Sequence, residues 1–325
     1  MSKHYLITGA GMVGAYTARR LIDRGDRVTL LDRQVPAEYL STFLGDRAYD
    51  TIEVDLTDVG ATSEALAPLQ VDGVVHTAAL IAARAQRDLS ETLEVNVAVP
   101  LRLAEWAASA GAARFVTISS WSVYDEAQPG PITGSSPLMT QFTSYYVASK
   151  LAMEHMLSAQ AHASGLQVVV LRPAVIYGYG PNLGGSVGSA AIEGQVVRAL
   201  QGEEVVLPSN IISQTELVYV DDVAAHAQAA LDVVLTDRFS WFTTGSQETT
   251  TLEQLADTLR DAFPDVSVSI GAGSESSVIP PRQEQPTDLT VDIETLGVPV
   301  PLTRAAGFAR FIQDLRDAEG RGLKG

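Results

Sequence analysis

The chain has 325 residues, 46% of them hydrophobic and 19% charged, a composition that supports a sizeable core and not a disordered chain. Its 39 acidic and 22 basic residues give a formal charge of −17, which repels a nucleic-acid backbone and an anionic lipid surface. The absence of cysteine excludes disulfides, thiol nucleophiles and thiolate metal sites.

In chain order, Tyr5 to Thr8 reads as a short buried strand, and Met12 to Arg24 as a helix with Gly25 at its C-terminal end. Arg27 to Leu31 is a second strand ending at Asp32, and Thr51 to Val54 a third, followed by D-L-T-D at 55–58. Gly73 to His76, Arg114 to Ile118 and Val168 to Leu171 complete six strands, with helical patterns at about 61–69, 90–110 and 144–164 between them. Strands alternating with helices predict an α/β protein: a doubly wound parallel-sheet Rossmann fold, covered on both faces.

Past Arg172 the pattern changes. Residues 177–189 read as loop, 190–201 as helix, and L-V-Y-V-D-D at 217–222 as a strand entering a helix from about 222 to 235; residues 247–325 mix helix signals with Pro-rich loops. The expected division is a dinucleotide-binding domain of residues 1–175 plus about 216–246. A smaller, interleaved C-terminal substrate lobe takes about 176–215 plus 247–325.

Gly9, Gly11 and Gly14 form G-x-G-x-x-G, with Met12 and Val13 inside it, between a strand and a helix. Such a turn lets the backbone approach a pyrophosphate, which then sits at a helix N-terminus where free N–H groups and the dipole favour anions. Asp32 closes the next strand at the spacing expected for a ribose-binding carboxylate, which favours NAD over NADP; the neighbouring Arg33 leaves NADP open. Asp55 follows the third strand and reads equally as an adenine contact or, with Asp58, as a helix cap. Farther on, Y-V-A-S-K at 146–150 places Tyr146 and Lys150 on one helix face. A cation beside a phenol favours phenolate, which is how a tyrosine becomes a general base. Tyr145 sits five residues from Lys150 and is expected to point elsewhere and pack; Ser119 is expected to be structural.

Together with V-V-H-T-A-A at 74–79, E-V-N-V around Asn96, T-I-S-S-W-S-V-Y at 117–124, L-R-P-A-V-I-Y-G at 171–178 and V-Y-V-D-D at 218–222, the chain resembles the extended short-chain dehydrogenase/reductases, the NAD-dependent epimerase/dehydratase family. The resemblance runs across most of the chain and implies roles residue by residue. Ser120 hydrogen-bonds the reacting oxygen, Tyr146 transfers the proton, and Lys150 binds the nicotinamide ribose and lowers the tyrosine pKa. Asn96 lines the cofactor pocket and Ala78 and Ala79 pack along it. Pro173 to Val175 lies near the carboxamide; Leu56, beside Asp55, is counted among the cofactor-binding positions. The resemblance also implies a homodimer formed by two long helices; Met153, Met156 and Leu157 lie on one of them, away from the catalytic side.

The chain departs from the family pattern in places. Its glycine turn is one residue shorter than the G-x-x-G-x-x-G of sugar-nucleotide members. Trp121 and Ser122 replace the acidic pair of dehydratases, so loss of water is not expected. Val175 replaces an Asn that often contacts a nucleotide-sugar phosphate, and Thr215 replaces an Arg clamp; Ser122, Arg84, Thr215 and Arg282 are the remaining substrate candidates. The glycine-rich stretch at 178–188 reads as a lid or a plain loop. These losses favour an NAD-dependent oxidoreductase acting on a secondary alcohol of a sugar, polyol or similar small molecule. The alternative is a nucleotide-sugar epimerase working through a transient ketone; a non-catalytic dinucleotide sensor is disfavoured by the retained Tyr–Lys pair. No metal, nucleic acid or membrane partner is expected. The start of the chain lacks a signal-peptide pattern and no run of about 18 apolar residues marks a membrane span, so the expected location is cytoplasmic.

Overall fold

The computed structural model describes residues 2–125, 127–181, 187–212, 214–273 and 285–320. Strands β1 (His4–Thr8), β2 (Arg27–Asp32), β3 (Asp50–Glu53), β4 (Gly73–His76), β5 (Arg114–Ile118) and β6 (Gln167–Pro173) alternate with helices α1 (Met12–Asp23), α2 (Ala37–Leu44), α3 (Val59–Leu66), α4 (Ala82–Arg87), α5 (Leu89–Leu93), α6 (Val99–Ser109) and α7 (Tyr145–Ser164). The chain continues through β7 (Val175–Tyr177), α8 (Val187–Leu200), β8 (Val205–Pro208), β9 (Gln214–Tyr219), α9 (Val220–Ala230), β10 (Phe239–Thr244) and β11 (Thr249–Thr251). It closes with α10 (Leu252–Ala262), β12 (Val268–Gly271), α11 (Thr290–Leu296) and α12 (Arg304–Gly320).

The main sheet has seven strands in the order β10-β6-β5-β4-β1-β2-β3, every adjacent pair parallel. Side chains alternate across each strand, so each face acquires its own core. Tyr5, Ile7, Val28, Leu30, Val75 and Val116 pack with α1 and α9 on one side. Leu6, Leu31, Val74 and Phe115 pack with Leu103 of α6 and Met153 and Leu157 of α7 on the other. The strand order reverses between β1 and β4, and in open α/β sheets ligands bind beyond the carboxyl ends of the strands at that point. Two small sheets, β11-β9-β7 and β12-β8, stand apart from the main one.

Three sequence expectations change. The helix expected over 90–110 is broken into α5, a π-helical turn at Glu94–Ala98 and α6. Residues 37–44, not expected to be helical, form α2, which buries Tyr39, Leu40, Phe43 and Leu44. The seventh strand, β10, follows a six-strand reading because F-S-W-F-T-T carries no alternation of its own; it is defined by pairing with β6 from Phe239↔Val168 to Thr244↔Pro173.

Candidate active site

The glycine turn joins β1 to α1. Gly9 has φ +94°, and a β-carbon there would lie 2.5 Å from Thr77 Oγ1. At Gly14 a β-carbon would lie 1.9 Å from the Gly9 carbonyl oxygen, so helix and turn touch only because both residues are glycine. Gly11 is different: nothing lies within 4 Å of the position its β-carbon would take. Gly11 caps α1 without a side-chain bond, and the first turn of the helix carries no acid. That open, uncapped and uncharged helix start fits a pyrophosphate. Thr77 Oγ1 pins the turn from β4, donating to the carbonyls of Thr8 (3.0 Å) and Gly9 (2.9 Å).

Asp32 ends β2 beside this turn and accepts from the Ala10 N–H at 2.8 Å, which fixes its carboxylate at the rim. Arg33 is exposed. The two readings of the D-L-T-D stretch separate. Asp58 caps α3, accepting from Ala61 N at 2.9 Å. Asp55 instead accepts from the backbone (2.9 Å) and hydroxyl (2.8 Å) of Thr57, bonds that hold its pKa below the usual carboxylate value with a smaller contribution from Arg33. Leu56 is half-buried against the core.

Ala78 and Ala79 follow β4 and are half-buried, with the Ala78 N–H donating to Thr8 O at 3.0 Å. Asn96 sits on the π turn and is buried. Its amide oxygen accepts from Leu80 N (2.7 Å), and its nitrogen donates to Leu80 O (2.9 Å) and Ser149 Oγ (3.0 Å). These bonds tie the loop after β4 to α7. Ser149 Oγ in turn donates to the Tyr146 carbonyl at 2.8 Å.

Ser120 lies just past β5 and caps a short 3₁₀ turn, Trp121–Val123. Its hydroxyl accepts from the Ser122 N–H at 3.2 Å and lies 2.8 Å from Ser122 Oγ. Tyr146 and Lys150 lie on the first turns of α7. Lys150 is 3% exposed, and its ammonium donates to the carbonyl of Ile118, the last residue of β5, at 2.8 Å. The end of β5 therefore gathers the three candidate catalytic residues.

Burial is the largest influence on the electrostatics of Tyr146 and Lys150. Burial pushes the Tyr146 phenol up to about 12, and the hydrogen bond with Ser120 opposes the rise. The Lys150 ammonium donates to Ile118 O and lies 5.8 Å from the centre of the Tyr146 ring. Burial brings Lys150 itself down to about 8, against a raising contribution from Glu154. Beneath it, His76 is held down to about 3 by burial and by the Lys150 charge, and lies 2.6 Å from Thr8 Oγ1.

Pro173 ends β6, and Val175, half-buried, begins β7. Thr215 is 2% exposed on β9 between β11 and β7, and its hydroxyl has no hydrogen-bond partner among the described residues. Arg84 is exposed on α4. Arg282 and residues 182–186 of the expected lid lie outside the described residues. Tyr145 does not pack as expected: it is 40% exposed at the start of α7. Met153 and Leu157 belong to the core, and Met156 alone of that trio is exposed. Sequence reasoning gave no role to Thr8, His76, Thr77 and Ser149. The signal for Thr77 was its place in V-V-H-T-A-A, directly across from the glycine turn.

The NAD dependent epimerase/dehydratase family model matches residues 5–238. The chain belongs to this family. Membership makes NAD its cofactor and makes it an enzyme. Over 172 residues it is 33% identical to a UDP-glucose 4-epimerase of Streptomyces lividans, a match covering 52% of this chain and 51% of that protein. The chain thus spans about half the length of that relative. It is 28% identical over 295 residues to a dTDP-L-rhamnose 4-epimerase of Burkholderia thailandensis, covering 78% of this chain and 79% of the relative. The same fold is found in MoeE5 in complex with UDP-glucose and NAD, with TM-score 0.78, 23% identity and coverage of 97% and 99% of the two chains.

Proposed function

We propose that this family member is a sugar-nucleotide epimerase, inverting a secondary alcohol through a ketone at the same carbon. The convergence of Ser120, Tyr146 and Lys150 at the end of β5, beside the glycine turn, carries the hydride-transfer chemistry. The names of the epimerase relatives carry the substrate class. The sequence argument against a nucleotide handle rested partly on Thr215. Its burial between two strands removes it from that argument, because no charge is accommodated there without a partner.

NAD, when bound, supplies the acceptor and donor of the hydride. The glycine turn and the start of α1 hold its pyrophosphate, and Asp32 its ribose. The Ser120 hydroxyl holds the reacting oxygen. Tyr146 takes the alcohol proton and gives it back, and the charge on Lys150 favours the phenolate form whenever Tyr146 is deprotonated. The substrate lies between the carboxyl edge of the main sheet and the smaller lobe, about 176–215 plus 247–325. Leu89, Leu93 and Met156, exposed on α5 and α7, form the face of a homodimer.

The test is to denature the purified protein and assay the supernatant for NAD while measuring interconversion of a panel of UDP- and dTDP-sugars. Retained cofactor and epimer formation without net NADH are expected. An empty protein that makes NADH from a free sugar or polyol would replace this reading with a dehydrogenase. Tyr146→Phe is expected to lower turnover by about 10²–10⁴-fold with NAD affinity nearly intact.

A further inference from the structure

Glu154 lies one turn beyond Lys150 on α7 and is 2% exposed. A carboxylate in such a place is costly unless paired and hydrogen-bonded. Here it is saturated. Arg172 of β6 donates to it through Nε (3.2 Å to each oxygen) and Nη2 (2.5 Å). Ser119 Oγ, next to the catalytic Ser120, donates to it at 2.5 Å. Arg172 is buried as well and is sandwiched by aromatic rings, 4.9 Å from the centre of Tyr124 and 5.2 Å from that of Trp241.

We propose that Glu154 is a positioning residue for the catalytic group: it anchors the Ser119–Ser120 turn through the Ser119 hydroxyl and sets an opposing charge against the buried Lys150 ammonium. The proposal rests on the hydride-transfer reading above. Ser119 and Ser120 are neighbours at the end of a strand, so a fixed Ser119 fixes the direction in which Ser120 leaves β5. Among the described residues Lys150 has one hydrogen bond, to Ile118 O, and is faced from β4 by His76 and from its own helix by Tyr146 and Glu154. Glu154 is the carboxylate that acts on it.

Two measurements separate this role from plain structural support. In protein labelled with ¹³C at the lysine ε-carbon, the Lys150 signal is identified by its loss in Lys150→Met and titrated with pH. Glu154→Gln is expected to lower its midpoint by about one pH unit, and Glu154→Asp to restore most of the shift. An unchanged midpoint in folded Glu154→Gln overturns the proposal. This readout needs no substrate, so it stands even if no sugar nucleotide is turned over, an outcome that would instead defeat the proposed function. Glu154→Gln also strands the Arg172 guanidinium and destabilises the fold. The double variant Glu154→Leu/Arg172→Met removes both charges and is expected to recover thermal stability while the Lys150 midpoint stays low and turnover stays at least tenfold reduced. Recovery of the midpoint and turnover together with stability would show that the pair is only a packing element.

Discussion

Among the described residues the buried Lys150 ammonium has a single hydrogen bond, and burial brings its pKa down to about 8, so the position holds a charge poorly. The unfolded chain holds the proton to about 10.5, so between the two values the unfolded state binds more protons and folding stability rises with pH. Below pH 8 the whole penalty is present. Lys150→Met is therefore expected to be inactive yet more stable than the parent by about 2–3 kcal/mol at pH 7, the gain vanishing near pH 10.5. Chemical denaturation at pH 7 and pH 10 checks this, and equal stabilities at both would refute it. The identity of the catalytic group was legible in the sequence because Tyr146 and Lys150 share a helix face and Ser120 follows an apolar strand. Its electrostatics were not. The Tyr146 and Lys150 values are set by burial, and burial depends on what packs around α7, including residues far away in the sequence.

Helix α12 is held by a group of this kind. Tyr16 of α1 and Tyr219 of β9 both donate their hydroxyls to one oxygen of Asp314, and Arg19 approaches the same carboxylate at 3.8 Å. Asp314→Ala would leave the two buried phenols only each other, at 3.5 Å, as partners, with a loss of about 2–4 kcal/mol expected in urea denaturation and a smaller loss for Asp314→Asn. A shift below 1 kcal/mol would mean that α12 is held by its apolar face alone. Elements with strong local signals were read closely: β4 and β5 have the bounds expected, because a run of buried β-branched and aromatic residues has few alternatives. The π turn was invisible, since it arises where Asn96 is drawn to Leu80 and Ser149, contacts that no periodicity encodes.

Across the whole molecule, buried carboxylates join the later segments to a small sheet, to the main sheet and to helix α9. Glu216 receives Gln247 N and the backbone and hydroxyl of Thr287. Asp292 of α11 receives Thr243 N at 2.9 Å, and Asp222 receives Leu302 N at 3.0 Å. Burial raises Asp222 to about 6, with Asp221 adding to the rise and the Leu302 N–H and Arg20 opposing it. An acid raised in the folded state makes the protein lose stability as pH climbs from its unfolded value of 3.8 to about 6. Asp222→Asn keeps an acceptor for Leu302 without the charge. Its unfolding free energy is expected to match the parent's at pH 4 and exceed it above pH 6, by about 2–3 kcal/mol at pH 8. A gain that is the same at both pH values would show that charge is not the cause.

The pairing of β10 with β6 has a consequence for how the protein is made. Val168 of β6 has its partner, Phe239, in a segment that leaves the ribosome only after β7, α8, β8, β9 and α9 have been synthesised. During translation β6 is thus an unpaired sheet edge, with its ladder of N–H and C=O groups open to other nascent chains. The order of synthesis, not the strength of any contact, sets how long that exposure lasts.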